Sequence, residues 1–171
     1  MSTVTKRAYL KVLAGGGGTF MRHIKMFRAA LAALVTVLLT SQLQAADIFV
    51  SPTGNGEKTG ANWSNALNGS NDGWHIDVKN AITSAIDGGA EEVNVYLAAG
   101  DYSITNQLAL SSITIPVKFC GGYVGETDGS LEMGETATTF NRTTYYVRHL
   151  YASSMSALHV EGITFKNGYL Y

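Results

Sequence analysis

Val93-Asn94-Val95-Tyr96-Leu97-Ala98-Ala99-Gly100-Asp101-Tyr102 is the stretch whose reading decides the fold. Val93, Val95 and Leu97 alternate with Asn94 and Tyr96, the period of two that sends one set of side chains into a core and the other outward. The stretch reads as a strand. Gly100 and Asp101 are expected to end it, glycine because it tolerates positive φ and aspartate because its side chain closes turns.

Downstream, the same pattern returns. Laid over the first stretch with a shift of about 22 residues, a spacing typical of repeat architectures, Val117 falls under Val95, Phe119 under Leu97, Cys120 under Ala98 and Gly122 under Gly100. Leu158 to Tyr169 reads as a third copy, with Ile163, Phe165 and Gly168 in the places of Val117, Phe119 and Gly122. Between them, Tyr145 to Tyr151 supplies another alternating strand, and Gly125 to Thr139, with Glu126, Asp128, Glu132 and Glu135, reads as a polar insertion on the outside.

Upstream the period changes. Val78, Ala81, Ile82, Ala85 and Ile86 recur at helical spacing, with Asp77 in the first turn and Gly88-Gly89 as a stop, which predicts one amphipathic helix. A helix this short is marginal alone, so it must cover an apolar surface. Asp47 to Ser51 before Pro52 reads as an edge strand, and Ser51 to Trp63 as a Gly/Asn/Ser/Thr loop. Asn62-Trp63-Ser64, Asn68-Gly69-Ser70 and Asn141-Arg142-Thr143 match the glycosylation triplet and are read as surface turns.

The N-terminus has the character of a leader. Arg22, His23, Lys25 and Arg28 precede the apolar run Ala29 to Leu39, and Leu43-Gln44-Ala45-Ala46 follows, which predicts a secretory signal peptide over 21–45 cut after Ala45. The run is short of the roughly 20 residues that span a bilayer, so no membrane span is expected after cleavage. Residues 1–20 fit no part of a leader and read as an over-extended start. The organisation that follows is 46–92 for strand, loop and helix, and 93–171 for the repeats.

Beyond Ala45, six Lys and Arg stand against thirteen Asp and Glu, a net charge of −7. No basic stripe is left for nucleic acid or anionic lipid. Cys120 is the single cysteine and is read as a small buried hydrophobe. Asp72, Asp77, Asp101, Glu126 and Asp128 offer carboxylates, and Lys118, Arg142, Arg148 and Lys166 offer cations, but no spacing among them demands an acid–base pair. His75 precedes the helix, while His149 and His159 are placed in strands facing outward; no two of them have metal-ligand spacing. No residue is therefore assigned a catalytic, cofactor-binding or metal-ligating role. Tyrosines are concentrated in the C-terminal half. Their ordinary role is strand propensity and cross-strand pairing, and Tyr123, Tyr145, Tyr151 and Tyr169 are in addition the candidate glycan contacts, since a phenol stacks on a sugar ring and its hydroxyl bonds to sugar hydroxyls.

Several of these stretches together carry a resemblance. The strand ending Val50-Ser51-Pro52-Thr53-Gly54-Asn55, the loop closing at Trp63, the helix Val78 to Ile86 and then VNVYLAAGDY resemble the N-terminal part of secreted right-handed parallel β-helix proteins. These are pectin-lyase-like chains, including polymorphic outer-membrane and surface proteins of bacteria. FCGGYVGET at Phe119 to Thr127 and VEGITFKNGY at Val160 to Tyr169 resemble that group's first coils. The loop Gly56 to Gly60 lacks the group's Asp-rich character, and Asn65 to His75 lengthens the approach to the helix. The resemblance implies a mainly β fold: the start of a right-handed parallel β-helix, capped by one N-terminal α-helix, with three or four coils and the remaining coils missing, as in a truncated fragment. It implies an exported cell-surface or extracellular protein of structural, adhesive or glycan-contacting role, with polysaccharide or cell-surface glycan as partner and no complete active site. The alternative is the N-terminal part of a lyase or glycosidase acting on acidic polysaccharide, whose Ca²⁺ would belong to a longer protein. A β-sandwich carbohydrate module is the other fold, and it requires Val95 and Val117 on antiparallel neighbours.

Overall fold

The computed structural model describes residues 44–126, 130–144 and 148–168. In order, these form β1 (Ala45–Ser51), a 3-10 turn (Trp63–Asn65), β2 (Leu67–Asn68), helix α1 (Trp74–Asp87), β3 (Glu92–Ala98), β4 (Gly100–Ile104), β5 (Leu108–Ser111), β6 (Pro116–Tyr123), β7 (Thr138–Arg142), β8 (Leu150–Ser153), β9 (Ala157–Glu161) and β10 (Ile163–Lys166). Over the described residues the protein is mainly β, with parallel sheets and one α-helix. The first sheet has the order β2-β1-β3-β6-β9, the second β10-β7-β4 and the third β5-β8, and every pairing between these strands is parallel. From β3 onward the chain visits the sheets in one repeating order: β3-β4-β5, then β6-β7-β8, then β9-β10.

Val95 and its partner Phe119 are parallel neighbours, which removes the β-sandwich alternative. Their register is 24 residues, not 22: Val93 faces Val117, Val95 faces Phe119 and Tyr96 faces Cys120. Both shifts are even, so the inward set is the same and only the partners change. A bulge after Tyr96 then brings Ala98 opposite Tyr123. The third copy is also corrected. Leu158 and Val160, in β9, are the partners of Val117 and Phe119, whereas Ile163 and Phe165 lie in β10 beside Thr138 and Phe140 of the second sheet. Gly162, at φ +65, makes the corner between β9 and β10.

Three further expectations are corrected. Asp101 is not a turn residue; the corner is made by Gly100 alone, at φ +135, and Asp101 already belongs to β4. The outer insertion stops before Thr138, because Thr138, Thr139 and Phe140 are buried in β7. β1 is not an edge strand. β3 pairs along one side of it, and on the other β2 pairs with Val50 and Ser51 while the Gly60 carbonyl accepts the Phe49 N–H.

Inward side chains stack in register. Ala46, Val93, Val117 and Leu158 form one row of the first sheet, and Ile48, Val95, Phe119 and Val160 the next. In the second sheet Tyr102, Phe140 and Phe165 stack at 5.4 and 5.8 Å between ring centres. Each fully buried apolar side chain of this kind contributes about 1.5–3 kcal/mol relative to exposure.

The helix is one turn longer at its start than Val78 to Ile86. Trp74, Val78 and Ile82 recur every four residues as a single buried stripe, and Trp74 packs edge-on against Phe140 at 5.5 Å. The stop is as expected. The Gly89 N–H bonds to the Ile86 carbonyl and the Ala90 N–H to the Ala85 carbonyl, with Gly89 at φ +89, the geometry of a Schellman cap. α1 joins its stripe to the apolar core formed by β1, β3 and β5, as a helix covering an apolar surface must.

Candidate functional site

The outer face of the first sheet carries the richest arrangement of chemical groups among the described residues. Register places Asp47, Asn94, Lys118 and His159 in one row across four strands, and Phe49, Tyr96, Cys120 and Glu161 in the next. These rows exist because alternation sends every second residue outward while parallel pairing aligns them. The Asn94 amide donates to Asp47 Oδ1 at 3.0 Å, Lys118 Nζ stands 2.8 Å from Glu92 Oε1, and His159 Nε2 lies 3.0 Å from Glu161 Oε2.

Beyond the second row the face turns aromatic. Phe49 meets Trp63 edge-on at 4.9 Å, and Tyr96 meets Tyr123 edge-on at 5.2 Å. Trp63 is fully buried beneath its loop, and its indole N–H donates to the Ser130 carbonyl at 2.9 Å. Beside Tyr123, an open groove of about 430 Å³ runs along the sheet corner, lined by Gly121, Gly122, Met133, Glu135, Gly162 and Thr164.

Burial and pairing shift several titratable groups of this face. Burial pushes the Cys120 thiol up to about 11, helped by its hydrogen bond to Glu161, so at neutral pH it is a protonated donor and not a nucleophile. The hydrogen bond from His159, and then that from Cys120, lowers Glu161 and keeps it ionised. The Glu92 carboxylate raises Lys118 and keeps it charged. Burial, then Asp47, pushes Tyr96 up to about 12, and burial raises Tyr123. None of these shifts moves a group toward neutral pH, where a general acid or base would work best.

Of the four candidate tyrosines, Tyr145 and Tyr169 lie outside the described residues. Tyr123 closes β6, half-buried in the aromatic cluster. Tyr151 is exposed on β8 of the third sheet, with the Arg148 guanidinium 5.6 Å from its ring centre. Tyr123 and Tyr151 therefore stand on different sheets and form no common site.

The carboxylates are likewise dispersed: Asp72 precedes α1, Asp77 is in its first turn, Asp101 is on β4 and Glu126 follows β6, while Asp128 is outside the described residues. His149 corrects the outward placement. It is buried, with its ring edge-on to Phe165 at 5.3 Å and Nε2 2.8 Å from the Lys166 carbonyl oxygen. Among the described residues, no group of three or more His, Cys, Asp or Glu is placed to hold a metal ion, and no helix is long and apolar enough to cross a membrane. Cys120 is buried as expected, but it faces the outer row beside Tyr96 and not the central core.

No protein-family model matches the chain, and neither a curated protein nor a solved structure matches it.

Proposed function

We propose that this chain is the opening of a right-handed parallel β-helix in an exported protein, a rigid support whose outer face contacts glycans. The observation that carries the reading is the repeated visit to three parallel sheets in one order, with inward rows stacked in register. Stacking of this kind builds an elongated body from short strands, because each layer buries the apolar face of the last. α1 is its cap, and the leader over 21–45 sends it out of a bacterial cell.

The glycan role follows from the outer face. Asp47, Asn94, Lys118 and His159 offer donors and acceptors in a flat row, and Tyr96 and Tyr123 lie next to it, the mixture that sugar hydroxyls and ring faces take. The net charge of −7 beyond the leader repels polyanions, so the preferred glycan is neutral.

Two measurements test this. Cells expressing the full chain are fractionated and the exported product is sequenced; a product beginning at Ala46 outside the cytoplasm is expected, and an uncleaved cytoplasmic chain would overturn export. Affinity electrophoresis through gels containing neutral or acidic polysaccharide then reads binding. Retardation in a neutral gel, reduced by Asn94→Ala and Lys118→Ala, is expected, and equal mobility in every gel would defeat the glycan role. Formation of unsaturated product from polygalacturonate with Ca²⁺ would replace it with the lyase reading.

A further inference from the structure

We infer that the amino group freed by the leader cut serves as the positive charge at the C-terminal end of α1. This rests on the cut after Ala45 and stands whether or not the outer face binds glycan. In that cut the Ala45–Ala46 peptide bond breaks. Water adds its oxygen to the Ala45 carbonyl carbon, which leaves with the leader as a carboxylate, and both water protons end on the Ala46 nitrogen as an α-ammonium. The nitrogen has a fixed place in the fold. Ala46 lies in β1 opposite Val93 of β3, and the pairings of Asp47 and Ile48 that follow hold it there after Ala45 has gone. A notch of about 210 Å³ brings Ala46 together with Ala85, Gly88, Gly89 and Ala90, where α1 ends.

That end of the helix has no cation of its own. Aligned peptide dipoles give a helix C-terminus partial negative charge, which a basic side chain in the last turn ordinarily offsets. The last turn of α1 holds Asp87 and no basic residue. The N–H groups of Gly88, Gly89 and Ala90 take the carbonyls of Ser84, Ile86 and Ala85, while the Asp87 carbonyl accepts no hydrogen bond among the described residues.

The other charged residues around the junction are mostly acidic. Asp47 follows Ala46 on β1, Glu91 bonds through its N–H to the Gln44 carbonyl at 3.3 Å, and Glu92 opens β3 opposite Ala45. Of Asp47, Asp87, Glu91 and Glu92, only Glu92 has an ion-pair partner among the described residues, Lys118 at 2.8 Å. Lys58 and Asp77, of opposite sign, line the next groove along α1. A peptide nitrogen at Ala46 carries no charge, whereas an ammonium there meets a helix end and carboxylates of opposite charge. The folded chain therefore favours the charged form and raises the amino group above its ordinary value near pH 8. Its stabilisation is whole below about pH 8 and is lost as pH rises through the folded value.

N-terminal sequencing of the exported product comes first, and a product starting at any residue but Ala46 overturns the cut and this inference together. With Ala46 in first place, the methyl carbon shift of that alanine is followed by NMR against pH, in native buffer and in urea. The amino group is expected to titrate about half a pH unit higher in the folded chain. An equal or lower value overturns the inference and leaves the cut intact. Acetylation of the terminus gives a second reading. The acetylated chain is expected to melt at a lower temperature than the free one at pH 7 and at the same temperature at pH 10, where both termini are uncharged. Asp87→Lys, which puts a cation in the last turn, is expected to shrink the pH 7 difference. No loss at pH 7, a loss of the same size at pH 10, or a loss untouched by Asp87→Lys would each overturn the inference. The titration requires no variant, so a failure of Asp87→Lys to fold leaves it decisive.

Discussion

The phenolic oxygen of Tyr102 lies 3.1 Å from the carbonyl oxygen of Val50, 52 residues earlier, and 2.9 Å from that of Ala98. A tyrosine of the second sheet thus ties together two strand ends of the first. Its ring is fully buried against Phe140, so the hydroxyl has no access to water. Tyr102→Phe keeps the ring and removes the donor. The expected loss is about 1–2 kcal/mol, read as a lower urea midpoint at unchanged slope.

Alkaline pH should weaken the fold before it touches the charge pairs. Burial holds Cys120 at about 11 against an ordinary 9, and Tyr96 at about 12 against 10, and raises Tyr102 still further. Each group keeps its proton in the folded chain at a pH where the unfolded chain has lost it. The linked stability is therefore complete below about pH 9 and falls as pH rises from there to about 12. Urea midpoints measured between pH 8 and 12 should decline, and Cys120→Ala and Tyr96→Phe should flatten the lower and upper parts of the decline respectively. A flat profile in the parent would contradict the burial of both groups.

Thr138 fixes the corner between the first two sheets. Its hydroxyl oxygen accepts the Gly122 N–H at 2.8 Å and lies 3.0 Å from the Ala98 carbonyl oxygen, to which it donates. Thr138→Val has nearly the same shape but leaves a buried N–H without its acceptor. A loss of about 1–3 kcal/mol is expected, whereas Thr136→Val in the preceding exposed segment should lie within about 0.5 kcal/mol of the parent. Equal effects at the two positions would show that the Thr138 hydroxyl is not bonded as described.

What could be read from the sequence follows from what alternation encodes. Val93, Val95 and Leu97, and again Val117 and Phe119, announce which face is buried, and α1 announces itself through Val78 and Ile82. Register is not encoded that way, because any even shift satisfies the same alternation. The true correspondence rests on Cys120-Gly121 beside Glu161-Gly162, where two backbones approach too closely for a side chain. A search for the small residue shared by FCGGY and VEGIT would have found it. The outer rows were missed for the same reason: Asp47, Asn94, Lys118 and His159 are 47, 24 and 41 residues apart, and only the register brings them together. The outward placement of His149 fails on parity: two residues after an inward Val147, alternation would put it inward as well, and β8 begins only at Leu150.

Two glycines separate backbone strain from crowding. Gly89 sits at φ +89 with open space around it, so Gly89→Ala meets only the left-handed penalty, about 1 kcal/mol. Gly89→Asn should recover most of it, since asparagine tolerates that conformation at a helix end. Gly121 has no such φ, but a Cβ there would stand 2.5 Å from the Gly162 carbonyl oxygen and 2.8 Å from Thr138 Cβ. Gly121→Ala must push apart β6 and the corner between β9 and β10, at a cost of about 1–3 kcal/mol, and Gly121→Asn should be worse. Thermal melts of the four variants check the contrast. If Gly121→Ala costs no more than Gly89→Ala, or if asparagine is tolerated at Gly121, the close stacking of Gly121 on Gly162 is not what sets the register of the last layer.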